Sequence, residues 1–525
     1  MSASGARLAG DRFFLWSLAL TAILKLTLAA VIPLTGDEAY YTAYGEYPDY
    51  GYYDHGPVIG WWLSAALSLG KTVWLVRLPA VLATLGVGVL LWQALRSIDV
   101  EKAGLAAAVY LWSPHNALYV FTTTDAPLIF FSAVSGIFAF HAYRTDRARD
   151  YLLAGFFLGL AFLSKYFAVL LGLAFAVLFL FGKRPPRIRG LLLIVLAVLP
   201  AAAVNIAWNY RHGWINIVFY FYSRQRSNSA SVLNVVEFLA FTLLLLGPLL
   251  YFLFRPQLAG RAGWAEARGN GRESGLTVFG AAFLVPLALL LLVSFGRKIG
   301  LHWSISFFPF LFAALPAFFD AALLRRMARA MIVFSGGVAV VVGVGVMLPV
   351  EVARGHKSYG SIVLGMHPDE VLGAMKPYEE RYRLATPSYV KSAMLSFFGP
   401  EHVPVIGLGS PHGRQDDLLT DLRTYDGQDV MIMLDRKHDA DAPRAWFRET
   451  EIQTISVRGA EFRLLLGRGF RFDAYRETVL SRIAEEYYRL PSWLAAWSKP
   501  RSAYLPERYG LQVTPAEPQA QARGR

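Results

Sequence analysis

The chain has no cysteine in 525 residues, so disulfides, thiolate metal sites and cysteine nucleophiles are all excluded. It also lacks both phosphate-binding glycine signatures, GxGxxG and the P-loop, which argues against a soluble nucleotide as a bound donor. No Asn-x-Ser/Thr sequon occurs. The first apolar run is long and has no small-residue cleavage site after it, so a cleavable signal peptide is not expected. Charge is scarce too: Asp, Glu, Lys and Arg make up only 17% of the chain, against 55% hydrophobic residues and a mean hydropathy of +0.39. An ordinary soluble protein is excluded by that balance.

Apolar runs long enough to cross ~30 Å of hydrocarbon recur through the first two thirds of the chain. They give eleven expected spans: 13–33, 74–95, 103–121, 126–143, 151–164, 166–182, 190–208, 234–254, 275–295, 301–322 and 328–350. Every second connecting loop is basic, with Arg96 and Lys102, Arg144, Arg147 and Arg149, Lys183 to Arg189, Arg255 to Arg272, and Arg325 to Arg329. The positive-inside rule then puts the N-terminus in the cytoplasm and the acidic first loop, 34–73, outside. Twelve of the thirteen net positive charges belong to residues 1–350. They lie in short loops between spans, so topology accounts for the basic pI and no nucleic-acid partner is implied.

The segment after the first span is unusual for a membrane protein. Residues 35–62, TGDEAYYTAYGEYPDYGYYDHGPVIGWW, hold Asp37, Glu38, Glu46, Asp49, Asp54, His55 and seven tyrosines. Carboxylates held at a membrane surface are costly and are functional candidates by default. Asp37 and Glu38 sit where burial raises proton affinity while the outer aqueous face stays open, which suits a general base; a helix start is the competing reading. Asp54-His55 before Gly56-Pro57 suits metal or phosphate contact, or else a turn held by an Asp side chain. Asp125, in TTTDAP, reads first as a helix cap. Several cations lie at expected outer ends against the positive-inside trend: Lys165, Arg211, Arg224, Arg226, Arg297 and Lys298, with His302 close by. As a set they favour an anionic lipid ligand. Lys25, inside the first span, reads as snorkelling or internally paired.

Beyond residue 350 the apolar runs shorten to strand length, at 403–408, 429–435, 452–458 and 461–467, with a helical segment at 388–398. Residues 351–510 therefore read as a small soluble α/β domain on the periplasmic side, and 511–525 as a disordered tail.

Taken together, GDEAYY, YYDHGPVIGWW, WLVRLPA at 74–80 and TTTDAP at 122–127 resemble the polytopic glycosyltransferases of the C superfamily. The resemblance is to the bacterial branch related to protein O-mannosyltransferases and the lipid A aminoarabinose transferase. PAAAVNIAWNYRHGW at 200–214 and KIGLHW at 298–303 look like later signatures of that branch. It implies an α-helical polytopic membrane protein of the GT-C type, in the bacterial inner membrane, with residues 1–350 as the transferase domain. It further implies inverting transfer of a sugar from a polyprenyl-phosphate donor to an acceptor presented outside, a lipopolysaccharide, lipid A or another envelope glycolipid.

By position Asp37 matches the family's catalytic or acceptor-orienting aspartate, with Glu38 beside it as the second catalytic candidate. Arg211, Arg297, Lys298, His55, Lys165 and His302 become the candidates for the donor phosphate, and Asp125 and Asp54 the supporting acids. Asp54-His55 stands where the aminoarabinose branch carries Glu-Lys before Pro-Pro, the acid there being a metal ligand. A divalent ion on Asp54 is therefore a candidate cofactor, but the change to His and Gly-Pro puts it, and aminoarabinose as the sugar, in question. A protein hydroxyl is the alternative acceptor. A polyprenyl-lipid flippase is the alternative of another class, although the pseudo-repeats and broken midmembrane helices it calls for are not evident in the sequence.

Overall fold

In the computed structural model the described residues are 3–182, 185, 187–223, 230–254, 275–434, 442–495, 497 and 504–513. They divide into two compact units. One comprises Met1–Ile32, Ala65–Ala203 and Asn228–Met347; the other comprises Pro33–Ser64, Val204–Ser227 and Leu348–Arg525. The acidic first loop as far as Ser64 thus groups with the C-terminal third of the chain, and its end from Ala65 with the spans.

The first unit is helical, and the protein is a polytopic membrane protein. Among the described residues six helices are long and apolar enough to cross a membrane: Ala9–Val31, Val73–Arg96, Asp125–Thr145, Ile188–Arg211, Thr277–Ser294 and Ala321–Met347. Other expected spans are shorter helices, and proline explains where several of them break. The run 103–121 divides into Val100–Leu111 and the single turn Pro114–Ala117, because Pro114 disfavours helical backbone at Ser113 before it. The run 234–254 divides into Val232–Leu246 and Leu249–Leu253 at Gly247-Pro248, where Gly247 takes φ +52°. The run 301–322 becomes 3₁₀ turns around a short helix, Phe308–Ala314, with Pro309 in its first turn and Pro316 just beyond. Inside this unit Lys25 is fully buried and donates to the Thr84 hydroxyl at 2.6 Å and the Tyr119 carbonyl at 2.8 Å. Of its two sequence readings, internal pairing is the observed one.

The second unit contains a four-stranded mixed sheet in the order β1-β2-β4-β3. Strands β1 (Arg383–Ala385) and β2 (Val430–Met433) are parallel, β2 and β4 (Ala460–Phe470) antiparallel, and β4 pairs with β3 (Phe447–Val457) as a hairpin. The hairpin turns through Arg458 and Gly459, both at positive φ, the backbone required by a tight two-residue turn. Helix Tyr389–Phe398, capped by Ser388, matches the segment expected at 388–398. The strand expected at 403–408 is a single bridge from Val405 to Thr386. The expected tail lies outside the described residues from 514 onward.

A shared hydrophobic core closes this unit. Tyr53 from the acidic loop and Trp208, Ile215 and Phe219 from the segment Val204–Ser227 pack with Ala385, Ile432, Leu465 and Tyr475 of the sheet and its helices. The loop backbone lies flat on the indole of Trp208: a Cβ on Gly51 would come within 2.4 Å of that ring.

Candidate functional site

The site is built on one short helix, Gly36–Glu46. Thr35 caps it in a capping box: its hydroxyl accepts from the Glu38 N–H at 3.3 Å, and the Glu38 carboxylate accepts from the Thr35 N–H at 3.1 Å. The helix-start reading of Asp37-Glu38 is therefore realised, and Glu38 is fully buried in that role. Asp37 occupies the same first turn, where a carboxylate is favoured by the helix dipole.

One turn further, Tyr40 and Tyr44 lie four residues apart on one helix face and enclose Asp54. The Tyr44 hydroxyl is hydrogen-bonded to Asp54 Oδ1, and the Tyr40 hydroxyl, 2.9 Å from that of Tyr44, lies 3.4 Å from both carboxylate oxygens. Tyr52 stacks on Tyr44 at a centroid distance of 3.9 Å and locks its ring. Asp54 is only 5% exposed. Burial first, and the Asp54 charge second, push the Tyr40 and Tyr44 phenols well above their usual range. Both stay protonated as donors to the carboxylate.

His55 is held on both sides of its ring. Nε2 is 3.0 Å from the Tyr41 hydroxyl and Nδ1 is 3.2 Å from that of Tyr220. Tyr220 also donates to the Asp54 carbonyl at 2.8 Å, and Asn216 Nδ2 donates to the carbonyls of Tyr52 and Tyr53. Trp208 Nε1 donates to Asp49 at 3.0 Å, and Arg211 reaches the Tyr50 hydroxyl at 2.9 Å. The last turn of the helix Ile188–Arg211 and the segment after it thus frame the acidic loop. Burial lowers the pKa of His212, which stacks on Trp208.

The C-terminal part of the unit contributes as well. Tyr389 sets its ring edge-on to Tyr40 at 5.4 Å, and its phenol is pushed up to about 12 by burial and then by the charges of Asp37 and Asp54. Both acids therefore lie near Tyr389. Gln415 accepts from the Tyr53 N–H at 2.8 Å. Arg414 forms a two-pronged pair with Asp417, which also accepts from Tyr488 at 2.6 Å.

Asp37, Glu38, Asp54, His55 and Arg211 fall in this unit; Asp125, Lys165, Arg297, Lys298 and His302 belong to the span unit. There, Thr124 takes the N-cap position, and Asp125 does not act as a cap: its carboxylate pairs with Lys165 at 2.7 Å, both side chains under one tenth exposed. Lys298 pairs with Glu237 at 2.8 Å, and Arg297 lies over the Trp303 ring near His302. Arg224 and Arg226 lie outside the described residues. Sequence reasoning missed Tyr40, Tyr44, Tyr220, Asn216, Tyr389 and Gln415. The four-residue tyrosine spacing before Asp54 was the available signal for the first two.

A divalent ion does not fit Asp54 as it is arranged. Tyrosine hydroxyls face both carboxylate oxygens, and tyrosine hydroxyls also face both nitrogens of His55. Among the described residues no three acids or imidazoles converge on a point that could hold a metal.

A multi-span helical unit is joined in one chain to a mixed-sheet unit that takes in an acidic, tyrosine-lined first loop. The fold matches that of ArnT from Cupriavidus metallidurans, solved bound to undecaprenyl phosphate, with a TM-score of 0.58 and 16% identity over 86% of this chain and 97% of that one. Residues 54–208 match the family model of dolichyl-phosphate-mannose-protein mannosyltransferases. Over 182 residues the chain is 31% identical to the lipid A galacturonosyltransferase RgtD of Rhizobium johnstonii, covering 34% of this chain and 38% of RgtD. The chain thus spans well under half the length of that curated relative. The chain is related to the GT-C glycosyltransferases of the mannosyltransferase and ArnT branch, as its motifs led us to expect.

Proposed function

We propose that this protein is an inverting glycosyltransferase of the bacterial inner membrane. It moves a sugar from a polyprenyl-phosphate donor to a periplasm-facing envelope glycolipid. The match to RgtD favours lipid A as acceptor and galacturonic acid as the sugar. The observation that carries the reading is the buried Asp54 carboxylate, held by Tyr40 and Tyr44 on the helix that bears Asp37.

Asp37 takes the proton of the attacking acceptor hydroxyl, or orients an acceptor that is already ionised. The acceptor oxygen forms the new bond to the anomeric carbon as the bond from that carbon to the donor phosphate oxygen breaks. Polyprenyl phosphate leaves with the electron pair. Cations stabilise the charge that develops on it. Arg211 is the candidate in the loop unit, and Arg297, Lys298 and His302 are those of the span unit. Lys165 we assign to its pair with Asp125, Glu38 to the helix cap, and Asp54 and His55 to holding the loop in shape. No step is assigned to a metal. The match to the mannosyltransferase model supports a protein hydroxyl as the second acceptor reading.

The test is transfer by the purified protein in lipid nanodiscs, given labelled galacturonosyl and mannosyl polyprenyl phosphates with lipid A or a Ser/Thr-rich peptide. Transfer of galacturonic acid to lipid A, lost in Asp37→Asn, is expected. Unchanged turnover in that variant would remove Asp37 from the chemistry. Movement of labelled carrier between leaflets, without transfer, would make the protein a transporter.

A further inference from the structure

Away from the tyrosine cage, the second unit holds an apolar cavity of about 440 Å³ that opens to solvent. Its size lies within the ~300–1,000 Å³ typical of small-molecule sites. Ile406, Leu408, Ile432, Leu434, Trp446 and Val479 form its walls, and none of these side chains surrounds Asp54. A concave, mostly apolar lining with a few polar groups at its edge is the usual form of a small-molecule site.

Four polar groups of the walls are already paired. The Gly407 N–H donates to the Tyr475 hydroxyl at 2.8 Å, the Ile406 N–H to the Thr386 carbonyl at 3.0 Å, and the Leu434 N–H to the Arg463 carbonyl at 2.9 Å. The Thr478 hydroxyl donates to the Ala474 carbonyl at 2.6 Å. Little is left to hydrogen-bond a sugar, and the interior suits a hydrocarbon.

The backbone around the cavity is irregular on two sides. Gly407 and Gly409 both take positive φ, and a Cβ on Gly407 would sit 3.6 Å from Pro387 and 3.8 Å from Trp446. Residues Arg476–Leu480 form a single π-helical turn, a conformation frequent at functional sites. At the rim stands one cation, Arg482, which is exposed and has no ion-pair partner among the described residues.

The geometry points to a binding site for a single-chain anionic lipid, its hydrocarbon in the cavity and its acidic headgroup on Arg482. A fatty acid and a lysophospholipid share that chemistry.

The experiment uses full-length protein in nanodiscs and a diazirine-bearing palmitate as probe, with cross-linked peptides mapped by mass spectrometry. Labelling is expected on peptides containing 406–409, Trp446 or 478–482, and excess unlabelled palmitate should compete. Val479→Trp, which fills the cavity, should cut that labelling at least tenfold, and Ile432→Phe provides a second filling variant if the first fails to fold. Arg482→Glu should weaken labelling by the palmitate probe but not by an uncharged alkyl probe of the same length. Competition by lysophosphatidate against competition by lipid A separates a free single-chain lipid from the acyl chain of a glycolipid. Labelling confined to the spans, labelling unchanged in both filling variants, or equal loss of both probes in Arg482→Glu would overturn the proposal.

Discussion

The main-chain N–H of Tyr53 donates to the side-chain oxygen of Gln415 at 2.8 Å, although 362 residues separate the two. Tyr53 is fully buried and adjoins Asp54, so this bond fixes the backbone next to the central carboxylate of the site. The C-terminal third of the chain is thus part of what shapes the acidic loop. Gln415→Ala leaves a buried donor without its partner, a cost of about 1–3 kcal/mol. The expected outcome is loss of transfer together with faster proteolysis within residues 34–64, while the spans keep their helical circular dichroism. Unchanged proteolysis would show that the loop holds its shape without Gln415.

The tyrosine cage makes a second prediction. Hydrogen bonds to a charged group are worth about 1.5–3 kcal/mol, so removing the Tyr44 hydroxyl should slow transfer roughly ten- to a hundred-fold if the loss reaches the transition state. Tyr44→Phe keeps the ring that stacks on Tyr52, so stability should fall less than activity. Because the cage occupies the carboxylate, EDTA should leave the wild-type rate unchanged. Loss of activity on chelation, restored by one divalent ion, would mean that Asp54 exchanges its tyrosines for a metal.

Lys165 and Asp125 supply a third. Their ion pair is buried, so removing one partner strands a charge and costs about 3–5 kcal/mol, whereas replacing both with apolar residues is often neutral. Lys165→Met should therefore lower the melting temperature, and Lys165→Met with Asp125→Leu should recover it. If Lys165 acts only through this pair, the double variant recovers transfer as well. Stability restored without activity would return Lys165 to the donor phosphate.

The division between what was legible in the sequence and what was not reflects physical range. Spans, basic loops and the acidic loop were readable because hydropathy and charge are properties of single segments. Proline marked the breaks in 103–121 and 301–322, but a count of apolar residues runs straight through them. The capping box was readable as a local pattern of Thr35 and Glu38. The groups that hold the loop around Asp54 and His55 were less accessible, since Tyr220, Asn216, Tyr389 and Gln415 come from segments over 160 residues away that pack onto the loop only in three dimensions. Strand β1 was missed because three residues carry no periodicity, and 403–408 was over-read because an apolar run of six need not find a neighbour.

The same packing fixes the response to alkali. Tyr389 ionises near 12 in the folded protein, against about 10 for a free phenol, and burial holds Tyr40 and Tyr44 up as well. A group whose pKa is raised by folding contributes stability that is fully present below the unfolded value and is lost as pH rises towards the folded one. Stability should therefore be flat with respect to these groups up to about pH 10 and fall above it, the Tyr389 part of the fall ending near pH 12. Of the 26 tyrosines, the caged ones should release no phenolate signal at 295 nm until the loop unfolds. Tyr389→Phe, which removes one raised group, should shift the alkaline transition to higher pH. A full phenolate signal at pH 10.5, with circular dichroism unchanged, would show that water reaches the cage and that Asp54 is not held as the structure has it.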